Sequence, residues 1–242
     1  MAKLLEVENV FKRFGGIVAT NDLSFDVEQG ESLALIGPNG AGKTTIFSLV
    51  MGEIRQNSGS IRLKGQEISR LPTHQRIQRG VSRTYQVPRP FADMDVAGNI
   101  RVGMMPDNLW QMLMRGPDPE AELAVALSVG FKEDDLQQTP STLSMGDLRK
   151  LELARTLATK PDIMLLDEVF AGLTLAEIGQ ISELLAQKRK EGMTFVVVSH
   201  DLRSLEPLVD RAVAMTFGRQ IAEGTFQQVM GDAEVRAAYL GQ

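Results

Sequence analysis

The chain has 242 residues, of which 43% are hydrophobic and 24% are charged, and its formal net charge at pH 7 is −5. These values exclude a fibrous or largely disordered chain, and the length fits one large domain or a core with a subdomain. The absence of cysteine excludes disulfides and thiolate metal sites, while the negative net charge disfavours a general binder of nucleic-acid phosphates.

The N-terminal part of the chain predicts short strands that turn residues interrupt. No signal peptide is expected there, because Glu6 and Glu8 break the apolar stretch that one requires. The segments Leu4–Val10, Leu23–Val27 and Gly59–Leu63 are predicted to form an antiparallel sheet. No apolar run approaches the ~18 residues of a membrane-spanning helix, so we expect a soluble, cytoplasmic protein.

Three apolar runs with abrupt polar ends predict buried strands of a parallel sheet. Helical patterns follow two of them, at Thr44–Met51 and Ala176–Lys190, and this alternation is typical of a doubly wound α/β sheet. Because ligands bind at the carboxyl ends of such strands, the polar residues that end the runs are site candidates. The runs are Ser32–Ile36, Ile163–Leu166 and Thr194–Val198.

Strand patterns vanish between Pro88 and Leu157, where prolines separate short helical segments such as Ala121–Val129. The sequence therefore predicts an α/β fold with a mainly parallel core sheet, an antiparallel β subdomain and an inserted α-helical subdomain. Within one domain spanning residues 1–242, we expect residues 1–87 and 158–242 to form the core with the antiparallel subdomain, and residues 88–157 to form the helical subdomain.

A phosphate-binding loop is predicted at residues 37–44, which match G-x-x-x-x-G-K-[ST] between a predicted strand and a predicted helix. Glycines let the backbone N–H groups curl around a phosphate, and the helix adds its positive end. Lys43 is expected to contact the β- and γ-phosphates, and the Thr44 hydroxyl is expected to ligate Mg²⁺. This makes the core a P-loop NTPase but leaves kinases, GTPases and ATPases open. The candidate nucleotide-binding residues here are Gly37, Pro38, Asn39, Gly40, Ala41, Gly42, Lys43, Thr44 and Thr45.

Two further motifs narrow the family. Residues 143–147 read Leu-Ser-Met-Gly-Asp, which resembles the L-S-G-G-Q signature of ABC ATPases, and the later strand ends in the adjacent carboxylates Asp167 and Glu168. With the phosphate loop before them, these motifs make the chain similar to ABC ATPases from end to end. The resemblance implies a subunit that binds and hydrolyses ATP with Mg²⁺ and that works as a pair.

The resemblance also implies roles for individual residues near the nucleotide. Asp167 and Gln86 would serve the metal ion with Thr44, while Glu168 would polarise the attacking water. His200, at the end of the third apolar run, would contact the γ-phosphate and assist catalysis beside Glu168 and Lys43. The remaining implied contact is Phe14, which would stack on adenine, with core packing as its alternative.

The signature implies contacts in trans. The Ser144 hydroxyl and the Gly146 N–H are expected to reach the γ-phosphate that the opposing subunit holds, so ATP would join the two subunits. Asp147 departs from the usual glutamine, and Val169 and Thr174 depart from the usual proline and aspartate. Ser144 and Asp147 also fit a helix capping box, a role that is compatible with ATP contact.

Within the family, several segments resemble the ATP subunits of branched-chain amino-acid importers. ATPases of urea or amide importers and of lipopolysaccharide exporters are the alternatives. A soluble ABC ATPase acting on DNA or ribosomes is a weaker one, since the chain has one ATPase unit and no basic arm. A nucleotide-binding regulator without turnover is disfavoured by intact catalytic residues. The segments are Phe11–Gly16, Arg83–Gln86, Ile221–Thr225 and Ala238–Gly241.

Partners follow from the same resemblance. We expect a second ATP-binding subunit, identical or related, and integral membrane permease subunits that hold the chain at the inner face of the cell membrane. No nucleic acid is expected. The permease would dock along Gln86–Pro90. A cluster of methionines and Trp110 between Met104 and Met114 is interpreted as core packing, with part of the docking surface as its alternative.

Overall fold

The computed structural model describes residues 2–105 and 116–240, so Trp110, Met112, Met114 and Gly241 lie outside the described residues. Within these ranges, no helix is long and apolar enough to cross a membrane. The strands are β1 (Lys3–Phe14), β2 (Ile17–Glu28), β3 (Ser32–Ile36), β4 (Ser58–Leu63), β5 (Gln66–Glu67), β6 (Val81–Thr84), β7 (Ile163–Asp167), β8 (Thr194–Val198), β9 (Arg211–Thr216) and β10 (Arg219–Gly224). The helices are α1 (Lys43–Met51), α2 (Thr73–Gln78), α3 (Val96–Met104), α4 (Pro119–Ser128), α5 (Met145–Ala158), α6 (Leu175–Lys190), α7 (Leu202–Leu205), α8 (Phe226–Gly231) and α9 (Ala233–Leu240).

The larger sheet has six strands in the order β10-β9-β3-β8-β7-β6. β6, β7, β8, β3 and β9 run parallel to one another, whereas β10 pairs antiparallel with β9. The three predicted buried strands are confirmed as β3, β7 and β8, and every residue in them is buried. The predicted helices that follow β3 and β7 are confirmed as α1 and α6.

Both faces of this sheet are covered, which explains why its central strands are apolar throughout rather than alternating. Leu33 and Leu35 of β3 belong to a cluster shared with α1 and the second sheet. Ala34 and Ile36 belong to the opposite cluster, which includes residues of α3, α5 and α6. Since successive strand residues point to opposite faces, β3 contributes to two cores at once.

The second sheet has four strands in the order β2-β1-β4-β5, and β1 pairs antiparallel with both β2 and β4. The predicted antiparallel sheet is therefore confirmed, with longer strands than the sequence indicated. The β1–β2 hairpin turns at Gly15–Gly16 and sets Phe14 opposite Ile17. This turn extends the hairpin toward the phosphate loop, because Ala19 of β2 lies against Gly42.

The described residues between 88 and 157 contain helices α3, α4 and α5 and no strand. The predicted helix at Ala121–Val129 is confirmed as α4. The division of the chain at 157/158 stays a prediction; α5 itself ends at Ala158. Val96, Ile100 and Leu151 from this region pack in the same cluster as Ile36 of the central sheet. The helices are thereby tied to the sheet that carries the phosphate loop.

Candidate active site

The phosphate loop leaves the carboxyl end of β3 and leads into α1. Gly37 and Gly42 have φ angles of 149° and 105°, which residues with side chains rarely adopt. A Cβ atom at Gly37 would lie 2.1 Å from the carbonyl oxygen of Met215, and one at Gly42 would lie 2.4 Å from that of Ala19. Close backbone packing therefore requires glycine at both positions.

Lys43 is the first residue of α1, and its side chain extends back to the start of the phosphate loop. Its side chain is largely buried, and Nζ donates to the carbonyl oxygens of Gly37 at 2.6 Å and Pro38 at 3.0 Å. Burial lowers the pKa of Lys43, whereas the negative charges of Glu168 and Asp167 raise it. Burial has the larger effect, so the pKa of Lys43 is lowered overall, and a bound phosphate would oppose this by adding negative charge beside the amine.

A groove of about 350 Å³ lies over the loop and gathers most of the predicted site. Ile17 and Val18, at the tip of the β1–β2 hairpin, are 73% and 43% exposed and form an apolar wall that sequence reasoning missed. Phe14, the predicted adenine contact, is not among the lining residues; its ring lies 4.8 Å from Lys12 Nζ. The predicted residues that line the groove are Asn39, Gly40, Ala41, Gly42, Lys43, Thr44, Thr45, Gln86, Glu168 and His200.

Glu168 follows β7 in the left-handed region, with a φ of 50°. Its own N–H donates to the Val198 carbonyl at 2.9 Å, which joins it to the end of β8. The carboxylate accepts the His200 N–H at 3.1 Å, and His200 Nε2 lies 3.3 Å from its Oε1 atom. Two adjacent parallel strands thus place the predicted general base and the predicted γ-phosphate contact side by side.

Asp167 has a different environment from its neighbour. Its Oδ2 atom forms a 2.6 Å ion pair with Arg83 of β6, and both side chains are about 95% buried. Arg83 also pairs with Glu53 at 2.8 Å and lies 5.0 Å from the Tyr85 ring centroid. The sequence contained Arg83 inside a family-like segment but offered no signal for this pairing, because β6 and β7 are far apart in the chain.

The donor set of Thr44, Gln86 and Asp167 consists of a hydroxyl, an amide and a carboxylate, all oxygen ligands of the kind that Mg²⁺ prefers. Mg²⁺ in nucleotide sites needs only one or two carboxylates, since substrate phosphates and water supply the rest. Nowhere in the described residues do three or more His, Asp or Glu side chains gather as a metal cage. Thr44 and Gln86 line the groove, whereas Asp167 lies outside its lining with Oδ2 paired to Arg83. By their chemistry, the three oxygen donors fit an ion that arrives with a nucleotide.

A buried ion pair on α5, between Arg149 and Glu152, forms hydrogen bonds with the backbone of Tyr85 and Gln86. Arg149 donates to the carbonyl oxygens of Tyr85 at 2.7 Å and Gln86 at 2.9 Å, and pairs with Glu152 at 2.6 Å. Glu152 in turn accepts the Tyr85 N–H at 2.7 Å. Desolvation raises the pKa of Glu152, and the Tyr85 N–H and the Arg149 charge lower it. The helix that begins at the signature thus holds the Gln86 loop directly.

Replacing Arg149 with lysine is expected to lower the free energy of unfolding by about 1–3 kcal/mol. A single ammonium cannot reproduce the guanidinium fork, so at least one buried carbonyl loses its donor. Urea unfolding measures the change. Arg62→Lys is the control, because the Arg62–Glu8 pair is exposed and such pairs contribute at most about 1 kcal/mol. Equal urea midpoints for the two variants would show that the hydrogen bonds from Arg149 to the Gln86 loop contribute no more stability than the exposed Arg62–Glu8 pair.

The signature lies at the N-terminus of α5. Ser144 Oγ accepts the Asp147 N–H at 3.1 Å, so Ser144 is confirmed as the cap of α5. The second half of the predicted capping box is not formed, because the Asp147 carboxylate accepts from the Ser144 hydroxyl at 2.9 Å and not from the Ser144 backbone N–H. The Gly146 N–H donates to Glu177 Oε1 of α6 at 2.9 Å, a contact that sequence reasoning missed. Ser144 and Gly146 do not line the groove over Lys43. Their contact with a nucleotide in another subunit stays a prediction.

Known proteins resemble this chain along nearly its whole length. Residues 20–171 match the family described as ABC transporter, and residues 219–242 match the one described as branched-chain amino acid ATP-binding cassette transporter. The high-affinity branched-chain amino acid transport ATP-binding protein LivG of Escherichia coli (strain K12) is 35% identical, covering 99% of this chain and 98% of that protein. The lipopolysaccharide export system ATP-binding protein LptB of Haemophilus influenzae is also 35% identical, with the same coverage.

Solved structures agree with the architecture. The ADP conformation of an ATP-binding cassette of an ABC transporter superposes with a TM-score of 0.88 and 25% sequence identity, over 100% of both chains. The predicted α/β fold, with its parallel core sheet, antiparallel sheet and helices, is thereby confirmed.

Proposed function

This chain belongs to the ABC transporter family of ATP-binding subunits, and we propose that it binds ATP with Mg²⁺ and hydrolyses it to drive import of branched-chain amino acids through a membrane permease. The observation that carries the proposal is the groove that gathers Lys43, Gln86, Glu168 and His200 over the phosphate loop. A Mg²⁺-dependent ATPase assay on the purified chain tests the hydrolytic part. A chain that binds ATP without turnover, alone and with its permease, would instead be a regulator.

Nucleotide binding rests on the phosphate loop. Lys43 moves its ammonium hydrogen bonds from the Gly37 and Pro38 carbonyls toward the β- and γ-phosphates, while loop N–H groups donate to the β-phosphate. The adenine lies near the hairpin tip, against Phe14 or the exposed side chains of Ile17 and Val18. Loop N–H groups and the start of α1 supply the positive field for the phosphates.

The adjacent carboxylates of Asp167 and Glu168 have different roles in hydrolysis. Asp167, Thr44 and Gln86 would hold the Mg²⁺ that accompanies ATP, and the bound ion would supply charge neutralisation at the phosphates. Glu168 accepts a proton from the attacking water and orients it toward the γ-phosphate. His200, whose backbone N–H already positions Glu168, donates to the γ-phosphate through its ring.

Pairing with a second ATP-binding subunit completes the site. Ser144 and Gly146 of one subunit contact the γ-phosphate held by the other, so loss of that phosphate opens the pair. For Gly146 to donate to a phosphate, its N–H must first leave the Glu177 carboxylate. When the two subunits close, the γ-phosphate therefore replaces the Glu177 carboxylate as the acceptor of the Gly146 N–H at the start of α5.

Replacing Asp147 with glutamine is expected to strengthen ATP-driven pairing about two- to fivefold, the scale of one exposed charge interaction. The Asp147 carboxylate repels the approaching γ-phosphate, but Lys150 at 3.1 Å partly neutralises it. The basal ATPase rate should rise with pairing. The melting temperature should fall slightly, because a carboxylate in the first helical turn stabilises by ~0.3–1 kcal/mol.

Sedimentation in the hydrolysis-deficient Glu168→Gln background measures the pairing affinity with and without the Asp147 change. The difference should shrink at high salt, since exposed charges are screened. Equal affinities at both low and high salt would show that Asp147 is a capping residue only.

The transport partner is an integral membrane permease that holds this chain at the inner face of the cell membrane. Val87, next to Gln86, is 65% exposed, and Phe91, Met94 and Met105 are exposed nearby in sequence. These apolar side chains suit the docking of a cytoplasmic permease helix. Met104 packs partly buried against the core, as the sequence interpretation favoured.

Copurification decides between the remaining alternatives. Capture of an amino-acid permease with the tagged chain, and leucine uptake into vesicles that contain the complex, are the expected results. A lipopolysaccharide-export permease would favour the role of the LptB relative, a urea or amide permease would favour a related importer, and ribosomes or DNA would favour a soluble ATPase.

A further inference from the structure

The C-terminal helix reaches the phosphate loop through one side chain. The Gly37 N–H, the first amide of the loop, donates to the Tyr239 hydroxyl oxygen at 2.8 Å. Tyr239 lies near the end of α9, within the segment that matches the branched-chain amino acid cassette family. Among the described residues, no other side chain from outside the loop is hydrogen-bonded to it. The contact thus joins the segment 20–171, which matches one family, to the segment 219–242, which matches the other.

The N–H group of Gly37, the residue that follows β3, needs a hydrogen-bond acceptor from outside the sheet. The ladder between β3 and β9 ends at the pair Ile36 and Ala214, one residue before Gly37. The backbone then turns sharply, and the Met215 carbonyl packs where a Gly37 side chain would be. The Gly37 carbonyl is taken by Lys43, so Tyr239 and Lys43 hold the N–H and the C=O of the same residue.

Packing at the end of α9 holds the Tyr239 side chain in place. Val235, one turn earlier on α9, is fully buried, and the Tyr239 ring packs against the same cluster. Burial raises the pKa of Tyr239, so the group that accepts the Gly37 N–H at physiological pH is the neutral phenol. Between Ala237 and Ala238 of the helix and residues 38–41 of the loop lies a cavity of about 270 Å³. Because packing there is incomplete, the hydroxyl is the specific link between α9 and the loop.

We propose that Tyr239 is a positioning residue for the phosphate loop, whose hydroxyl holds the Gly37 peptide so that the loop keeps the curvature that nucleotide phosphates require. The inference rests on the proposed ATP binding. Tyr239 contacts the loop at the Gly37 amide and does not line the groove that contains Lys43, Glu168 and His200. It acts on nucleotide affinity and leaves the chemical step unchanged.

The test is Tyr239→Phe, which removes the hydroxyl and keeps the ring. Calorimetry should show ATP and ADP affinities about three- to tenfold weaker, the effect of one unsatisfied amide in the loop. The KM for ATP should rise by a similar factor while kcat stays within about twofold, since the reacting groups are untouched. Amide exchange at Gly37, followed by NMR or mass spectrometry, should accelerate because its acceptor is gone.

Thr225→Val is the matched control. It removes a hydroxyl that caps α8 in the same C-terminal region, through the Gln228 N–H, without touching the loop. It should lower stability and leave nucleotide affinity unchanged. Tyr239→Leu, a second variant, should match Tyr239→Phe in affinity if the hydroxyl is what matters.

The outcomes separate the inference from the proposed function. Wild-type affinity and exchange in Tyr239→Phe would overturn the positioning role while ATP binding stands, and so would an equal affinity loss in Thr225→Val. A fall in kcat with unchanged KM would also overturn it. If the wild-type chain bound no ATP, the proposed function itself would fail.

Discussion

Replacing Glu168 with glutamine is expected to lower kcat for ATP hydrolysis by about 10²–10⁴-fold, the usual contribution of a general base. Glutamine keeps an oxygen that can accept the His200 N–H, so the end of β7 and β8 should retain its geometry. The amide cannot take a proton from water. ATP affinity should therefore be preserved, and the variant should accumulate as an ATP-bound pair that sediments as a dimer.

Steady-state kinetics and calorimetry with Mg²⁺ present separate the two effects, because a fall in kcat without loss of affinity indicates an interaction made in the transition state. Glu183→Gln on the exposed face of α6 is the control for removal of one carboxylate. Turnover of Glu168→Gln at the rate of this control would mean that another group activates the water.

Replacing Lys43 with alanine is expected to raise the Kd for ATP by at least about thirtyfold, since truncation of one partner of a buried, hydrogen-bonded charge pair costs about 2–5 kcal/mol. The effect should appear in the ground state, unlike that of Glu168, because Lys43 contacts phosphates before any bond breaks. Without nucleotide the variant also loses the hydrogen bonds to Gly37 and Pro38. Circular dichroism should accompany the calorimetry to confirm that the fold is kept.

Lys64→Ala provides the matched loss of a lysine. Lys64 is half exposed and pairs with Asp162 away from the groove, so ATP affinity should not change. An unchanged Kd for Lys43→Ala in a folded protein would refute the assignment of residues 37–44 as the phosphate loop.

Much of the site was predictable because its motifs are local. The phosphate loop is a continuous segment whose glycines are demanded by backbone geometry, and the structure places it between β3 and α1 as predicted. The cap of α5 by Ser144 likewise needs only residues three positions apart. Phe14 shows the limit of such reasoning: the resemblance implied that it contacts adenine, but the groove is lined instead by Ile17 and Val18. Which of these contacts adenine depends on how two sheets meet.

By itself, the sequence determined the three central strands, the helices that follow two of them, the phosphate-loop motif and the family, because periodicity and contiguous motifs encode these within a few residues. Only the tertiary structure decided which groups hold those residues in place. Arg83 meets Asp167 across 84 positions, Arg149 meets the Gln86 carbonyl across 63, and Tyr239 meets Gly37 across 202. No local pattern specifies such pairs, since each depends on how the sheet order and the helix packing bring distant segments into hydrogen-bond range.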